Sequence, residues 1–478
     1  MEFTGQQKSF INSYVTEINN GDAAIFAGAG LSATVGFVNW KELLRDLAEE
    51  INLNIDIEND YVSIAQYHFN KFKRGKINNK IVNEFTTLNR GTKNHQILSK
   101  IGIDTFWTTN YDQLIERSLE EEGKKVELKI RNEDFSRNIK KKDAIVYKMH
   151  GDKNSPDEAI LTKDDYDSYN DKRELFSTAL RGDLLSKTFL FIGFSFDDPN
   201  LDYIMSRIKV LLKDNTPTHF CFLKKVSEQD FEEKEDYLYA KVKQDLKIED
   251  LLRYGINTVP INQYSDITLI LEEIEKRILR RNIFISGAAA DYSPFSETSA
   301  KELIHNLSYT LAQKNYKIVS GYGLGIGSIV INGALDYKLN SSYRNLDDLL
   351  ILRPFPQIQS GEKSIKEVWS DYRQDMISNA GVAVFLFGNK ILDDEIIDSN
   401  GMLEEFDICL KNNVIPIPIG VTGYVSKLLW DKITKSMDTY YPENQVLHEA
   451  IIKLGNTSIS NQEIIKNVII AINILQKI

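Results

Sequence analysis

Cysteine is nearly absent: Cys221 and Cys409 are the only two in 478 residues. Each sits inside an apolar stretch, which marks both as small core residues and fits a reducing cytoplasm. Two cysteines cannot build a four-cysteine zinc site, and no metal is expected. Long apolar runs are missing as well, since none approaches the ~18–20 residues needed to cross a bilayer. The stretch Met1 to Ser9 lacks the apolar core of a signal peptide, so neither a membrane nor export is expected. Positive charge is also short. A net charge of −11 argues against a generic nucleic-acid binder, because neutralising phosphates requires clustered Lys and Arg. Internal repeats and low-complexity segments do not occur.

What is present is ordinary globular material, 42% hydrophobic and 27% charged, in a chain too long for one compact core. Short β-rich runs alternate with amphipathic stretches. The runs are Ala23–Ala27, Thr105–Thr108, Ala144–Lys148, Thr188–Ile192, Phe220–Leu223 and Asn257–Pro260. Trp40–Ile51 and Asp112–Glu122 carry helical patterns between them. This alternation predicts an α/β fold, a mostly parallel sheet with helices on both faces. A charged helical stretch, Asp266–Arg281, is followed by a restart at Asn282–Ser286, Tyr316–Ser320, Leu349–Arg353, Val382–Phe387 and Val414–Ile419. Two domains are therefore expected, 1–280 and 281–478, closed by an amphipathic helix over Gln462–Ile478. The segment Phe10–Asn19 is amphipathic and reads equally as an interface or a core helix.

The strongest local feature is Ala27-Gly28-Ala29-Gly30-Leu31-Ser32, an apolar strand running into glycines spaced i, i+2. Glycines there let a backbone approach a pyrophosphate whose charge is met by amides at a helix N-terminus. A tight strand–helix turn is the plain alternative. Three more loops fall at expected strand ends: Thr109-Asn110-Tyr111-Asp112, Met149-His150-Gly151-Asp152 and Gly193-Phe194-Ser195. Asn110 and Ser195 could each cap a helix, and a lone His is often structural. Four such loops in succession at strand C-terminal ends point to a ligand site.

Gly28-Ala29-Gly30-Leu31-Ser32, Thr109-Asn110-Tyr111-Asp112, His150-Gly151 and Gly193-Phe194-Ser195, in that order, resemble the NAD⁺ site of the sirtuin fold. The resemblance implies NAD⁺ as substrate, with Gly28, Ala29, Gly30, Ser32, Gly193 and Ser195 around the cofactor and Asn110, Asp112 and His150 around the nicotinamide ribose. Protein-deacylating sirtuins carry a structural zinc with paired cysteines, which this chain cannot supply, and their glycine loop continues differently from Gly36-Phe37-Val38-Asn39-Trp40. Water is then the expected acceptor, giving ADP-ribose and nicotinamide. Cleaving this N-glycosidic bond develops oxocarbenium-like charge on the ribose. Asn110 is assigned to positioning ribose or water, and His150 to the ribose hydroxyls or the water's proton. Asp112 either contributes negative charge or is a first-turn residue favourable to a helix dipole. A non-hydrolytic NAD-binding sensor and a protein deacylase are the competing classes.

The C-terminal half opens with Ser286-Gly287 after a strand and repeats the device in Ser320-Gly321-Tyr322-Gly323-Leu324-Gly325-Ile326-Gly327. Alternating glycines beside a strand end cradle phosphate or ribose, with a flexible turn as the alternative. The pair of loops resembles the SLOG superfamily of nucleotide-binding Rossmann-like domains. A sirtuin-like domain followed by SLOG resembles the effectors of Thoeris anti-phage defence. That resemblance implies a signal, a cyclic ADP-ribose isomer made by a TIR-domain partner, that binds SLOG and releases NADase activity. It also implies a cytoplasmic homotetramer or higher oligomer. Ser286, Gly287, Gly321, Gly323, Leu324 and Gly325 would cradle the ligand, Arg373 and Lys390 would hold its phosphates, and Glu405 a ribose hydroxyl. Solvated surface charge is the alternative for each charged residue, and a structural role for the weaker candidate Arg353.

Overall fold

Ala23–Ala27 is short, apolar and buried at every position, as expected of a strand covered on both faces. In the computed structural model it is the central strand, β1, of the first of two compact units, Met1–Glu275 and Lys276–Ile478. The structure describes residues 2–86, 90–194, 196, 199–212, 217–341, 345–356 and 362–476. The other strands of unit 1 are β2 (Thr105–Thr108), β3 (Val126–Lys129), β4 (Ala144–Lys148), β5 (Thr188–Ile192), β6 (His219–Lys224) and β7 (Ile256–Ile261). They form one sheet in the order β3-β4-β2-β1-β5-β6-β7, parallel throughout. The chain leaves β1 toward β2 on one side and later returns to β5 on the other. The crevice between the C-terminal ends of β1 and β5 is therefore the topological switch point, where such sheets bind ligands.

Strand β3 was not among the runs expected from the sequence. Its residues Glu127 and Lys129 are buried charges two positions apart, paired at 2.5 Å, so the strand lacks an apolar signature. The helix Gly5–Asn20 resolves the ambiguity at the N-terminus. Phe10, Ile11, Tyr14 and Ile18 are buried, Phe10 packs edge-on against Phe220 at 4.9 Å, and the Tyr14 hydroxyl donates to the Ala24 carbonyl at 2.9 Å. It is a core helix of unit 1. Between β1 and β2 three helices, Trp40–Glu50, Tyr61–Phe72 and Arg74–Phe85, pack around Leu44, Ile64, Ile77 and Ile81 as a second small core.

Unit 2 repeats the plan on a smaller scale. Its strands β8 (Asn282–Ala288), β9 (Lys317–Ser320), β10 (Leu350–Leu352), β11 (Val382–Phe387) and β14 (Ile415–Pro418) order as β10-β9-β8-β11-β14, all parallel. The switch point lies between β8 and β11. An unanticipated antiparallel hairpin, β12 (Asn389–Leu392) and β13 (Glu395–Asp398), follows β11 directly. The closing helix Asn461–Leu475 buries Val468, Ile472 and Leu475. Cys221 and Cys409 are both buried, and burial pushes the Cys221 thiol up to about 12. Among the described residues no helix is long and apolar enough to cross a membrane, and no cluster of three or more His, Cys, Asp or Glu could hold a metal.

Candidate functional site

At the unit 1 switch point the glycines bring two loops into backbone contact. A Cβ on Gly28 would sit 2.4 Å from the Gly193 carbonyl oxygen, and one on Gly30 2.8 Å from Gly193 Cα. Gly193 itself has φ +66°, and a Cβ there would lie 2.2 Å from the Leu31 nitrogen. The loop amides are used inside the protein: Gly28 N–H donates to Ile192 O and Gly30 N–H to Gly193 O, both at 2.9 Å. Leu31 N–H donates to Gly28 O and Ser32 N–H to Ala29 O, both at 3.1 Å. In this structure four amides of the loop are thus bonded within the protein. Two short 3₁₀ turns, Ala29–Leu31 and Ala33–Val35, follow the strand, and the next α-helix starts only at Trp40. Close packing of the β1 and β5 loops uses the Gly28 and Gly30 donors, and the 3₁₀ turn uses those of Leu31 and Ser32. Ser195 lies outside the described residues.

Beside this turn opens a cleft enclosing about 380 Å³ of empty space, its mouth included. Ala29, Ser32, Asn110 and Asp112 line it together with Phe37, Trp40 and Phe85. The Asn110 side-chain amide donates to the Gly28 carbonyl at 3.1 Å and to Ser32 Oγ at 3.4 Å, and its own N–H is held by Thr108 Oγ1 at 3.0 Å. Asn110 is thus fixed between the β1 and β2 loops. Asp112 lines the cleft and accepts the Leu114 N–H at 3.0 Å, just ahead of the helix Leu114–Glu121. His150, 1% exposed, follows β4 but is not among the lining residues. Its ring meets Tyr166 edge-on at 5.6 Å, and Tyr166 in turn meets the cleft residue Trp40 at 6.1 Å. Sequence reasoning passed over Lys148, whose ammonium is wholly buried beside Glu116 and Asp152. Only its position between Tyr147 and Met149 at an apolar strand end could have drawn notice.

Two other histidines were also unremarked. His95 Nδ1 accepts from Thr92 N–H at 3.2 Å and His219 Nδ1 from Phe189 N–H at 3.2 Å, and both rings are buried. Burial pushes each imidazole down from its ordinary 6.5 to about 4. The unfolded chain therefore takes up protons first as pH falls. Their stabilising contribution is complete above pH 6.5 and is lost between pH 6.5 and about 4. Each accounts for roughly 3 kcal/mol over that window. The melting temperature of the full chain is expected to drop steeply from pH 6.5 to 4.5; a flat profile there would refute neutral burial of both rings.

In unit 2 the first two strand-end loops also meet through glycines. A Cβ on Gly323 would lie 2.0 Å from the Gly287 carbonyl oxygen, and one on Gly325, at φ +71°, 2.1 Å from the Ala289 carbonyl oxygen. Ala289 N–H donates to Leu324 O at 2.8 Å. A Cβ on Gly321 would press on the Phe355 ring at 2.7 Å. Ser286, Glu405 and Arg373 come together: Ser286 Oγ donates to Glu405 Oε2 at 2.7 Å, and Arg373 Nε lies 3.4 Å from Glu405 Oε1. Arg373 Nη1 also pairs with Glu404 at 2.9 Å, and its guanidinium sits over the Phe355 ring at 5.0 Å. Burial pushes the Glu405 carboxyl up, against the opposing effects of Ser286 and Arg373. Lys390 stands on β12 opposite Ile397, with no ion pair among the described residues. The hairpin that carries it is tied to the β8 loop by Asn389, whose Oδ1 accepts from Ala290 and Asp291 N–H groups, each at 2.9 Å. Arg353 pairs with Asp375 at 3.6 Å.

Two parallel sheets, each with glycine loops meeting beside its central strand, define a SIR2-like domain followed by a SLOG domain. Residues 104–248 match the SIR2-like domain family, and residues 266–476 match the Sir2- and TIR-associating SLOG family. The chain is 44% identical over 474 residues to the NAD(+) hydrolase ThsA of Cytobacillus dafuensis, covering 98% of this chain and 96% of that protein. It is 45% identical over 469 residues to the NAD(+) hydrolase ThsA of Bacillus cereus (strain MSX-D12), covering 98% of each. It is 44% identical over 461 residues to the NAD(+) hydrolase ThsA of Acinetobacter baumannii (strain 532279), covering 95% and 96%. The chain belongs to the ThsA family.

Proposed function

We propose that the chain hydrolyses NAD⁺ to ADP-ribose and nicotinamide in unit 1, and that a cyclic ADP-ribose isomer bound in unit 2 releases this activity. The observation that carries the first part is the convergence of Ala29 and Ser32, after β1, and Asn110 and Asp112, after β2, on one cleft. NAD⁺ lies there with its ribose against Asn110. The ribose–nicotinamide C–N bond breaks, and its electron pair leaves on the pyridine nitrogen as a neutral ring. Asp112 offers negative charge to the oxocarbenium-like ribose. Water adds to the anomeric carbon and gives up a proton; His150, outside the lining of this cleft, is assigned to the ribose hydroxyls or to that proton. Orientation is the main contribution, since the leaving group needs no acid.

In unit 2, Arg373 and Lys390 take the signal's phosphates, Glu405 a ribose hydroxyl, and the loops of Ser286, Gly287, Gly321, Gly323, Leu324 and Gly325 its cradle. The signal comes from a TIR-domain partner in the cytoplasm, the working form is a homotetramer or higher oligomer, and the output is NAD⁺ depletion in phage defence. The test is NAD⁺ turnover by purified full-length protein with and without a cyclic ADP-ribose isomer. Turnover that rises with the isomer supports both parts. Constant high turnover removes the switch, and none in either tube favours a binding role. Arg373→Ala is expected to lose the ligand response while keeping whatever turnover the parent shows unliganded; a parent-like dose response would sink the phosphate assignment.

A further inference from the structure

Lys148 takes no part in the reading above, yet it is the most heavily partnered group near it. It is 0% exposed at the end of β4, two residues before His150. Its Nζ lies 3.0 Å from Glu116 Oε1 and 2.5 Å from Asp152 Oδ2. It also donates to the Asp112 carbonyl and reaches the Tyr111 carbonyl at 3.5 Å. These acceptors belong to three segments: the loop after β2 that carries Asn110, the helix Leu114–Glu121, and the turn that follows His150. An ammonium has three N–H donors and accepts nothing, so these acceptors saturate it.

Other links also join the Asn110 loop to the His150 turn. Met149 N–H donates to Thr108 O and Lys153 N–H to Tyr111 O, each at 3.1 Å. Gln113 Nε2 donates to Asp152 Oδ1 at 3.2 Å, and Asp152 Oδ1 also accepts the Asn154 N–H at 2.9 Å. The backbone bonds align the flanks. Lys148 reaches both carbonyls that directly follow Asn110 from the strand that leads into His150.

A purely packing role would not call for an ammonium. An apolar side chain of the same length fills such a site without desolvating a charge, and replacing buried ion pairs by apolar groups is often neutral or stabilising. Burial by itself would lower the Lys148 pKa, but Glu116 and Asp152 more than offset it and hold the group charged. What the ammonium supplies and methionine cannot is directional bonding to main-chain carbonyls beside Asn110.

We infer that Lys148 is a positioning residue that sets the register between the Asn110–Asp112 loop and the His150 turn. This rests on the NAD⁺-hydrolase reading of the cleft. Catalysis by orientation is sensitive to this register, because a displacement near 1 Å can cost about 10²-fold in rate. Lys148 touches neither substrate nor reacting atoms, so its loss should appear in kcat with KM little changed.

The test uses the full-length chain in two forms. Lys148→Met/Glu116→Gln/Asp152→Asn removes the charges of the ion-paired cluster together, so neither Glu116 nor Asp152 is left as a buried ion without its partner. Asp152→Asn alone keeps an acceptor for Asn154 and alters only the carboxylate facing Lys148. Nicotinamide release is measured beside the parent, with melting temperature as the folding control. The expected result is a fall in kcat of tenfold or more in the folded neutralised chain, with KM within about twofold, and a smaller fall of the same kind in Asp152→Asn. Parent-like kcat in the neutralised chain overturns the inference, as does an equal loss in kcat/KM carried by KM. If the neutralised chain does not fold, Asp152→Asn decides on the same split. A parent that releases no nicotinamide under any condition refutes the hydrolase reading instead, which separates the two failures.

Discussion

Asn110→Ala lowers NAD⁺ turnover by about 10²-fold or more while the chain still folds. The side chain is fixed before any substrate arrives, its amide held by the Gly28 carbonyl and Ser32 Oγ, and it faces the cleft shared with Asp112. Alanine removes a polar side chain that ties the β1 and β2 loops together in the cleft wall, and orientation losses of this kind cost about 10²-fold. The structural cost is smaller. Two buried side-chain hydrogen bonds go, about 1 kcal/mol each, while Thr108 still holds the Asn110 backbone N–H. The measurement is nicotinamide release under activating conditions, with thermal melting as control. Retained turnover in a folded Asn110→Ala chain would remove Asn110 from the reaction, and His150→Ala is judged by the same assay.

The second large effect is on the fold. Gly193→Ala is expected to destabilise unit 1 by roughly 2–5 kcal/mol. Its φ of +66° costs an L-residue about 1–2 kcal/mol. Its new Cβ would lie within 3 Å of the Leu31 nitrogen, Gly30 C and Gly30 Cα, all backbone atoms that cannot swing away. Overpacking of this kind adds about 1–3 kcal/mol. Forcing the β1 and β5 loops apart also shifts Ala29 and Ser32 in the cleft wall, so activity should fall with stability. Gly182→Ala is the control. That glycine lies within the helix Glu174–Ser186 and a Cβ there meets nothing within 4 Å, so alanine should be neutral or stabilising by up to about 1 kcal/mol. Urea midpoints of the two variants check the contrast; equal midpoints would mean that the loop contact at Gly193 is not rigid.

The central strands were legible in the sequence because parallel strands covered on both faces must be apolar at nearly every position. Ala23–Ala27, Thr105–Thr108, Ala144–Lys148 and Thr188–Ile192 stand as expected. Strand β3 was not legible, since Glu127 and Lys129 neutralise each other only once they lie side by side on the sheet. The β12–β13 hairpin was missed because four-residue strands around Asp393 and Asp394 carry no periodicity. At the site, Asn110 and Asp112 share the cleft that the loop spacing suggested. The glycine amides do not follow the expected pattern, because their partners are carbonyls more than 160 residues away. Lys148 escaped for a related reason: its acceptors at Asp112 and Glu116 approach only through the pairing of β2 with β4.

Arg373 has one more consequence under the proposed reading. Glu404 and Glu405 already occupy its guanidinium, so the resting pocket holds tethered anions of its own. A phosphate entering there exchanges with them and does not fill a vacancy. The apparent affinity for the signal is then its intrinsic affinity multiplied by the fraction of time the arginine is free of that internal rival. The same tether shortens the stay of a bound signal by recapturing the arginine whenever the phosphate loosens, so the pocket returns to rest as soon as the supply of signal ends.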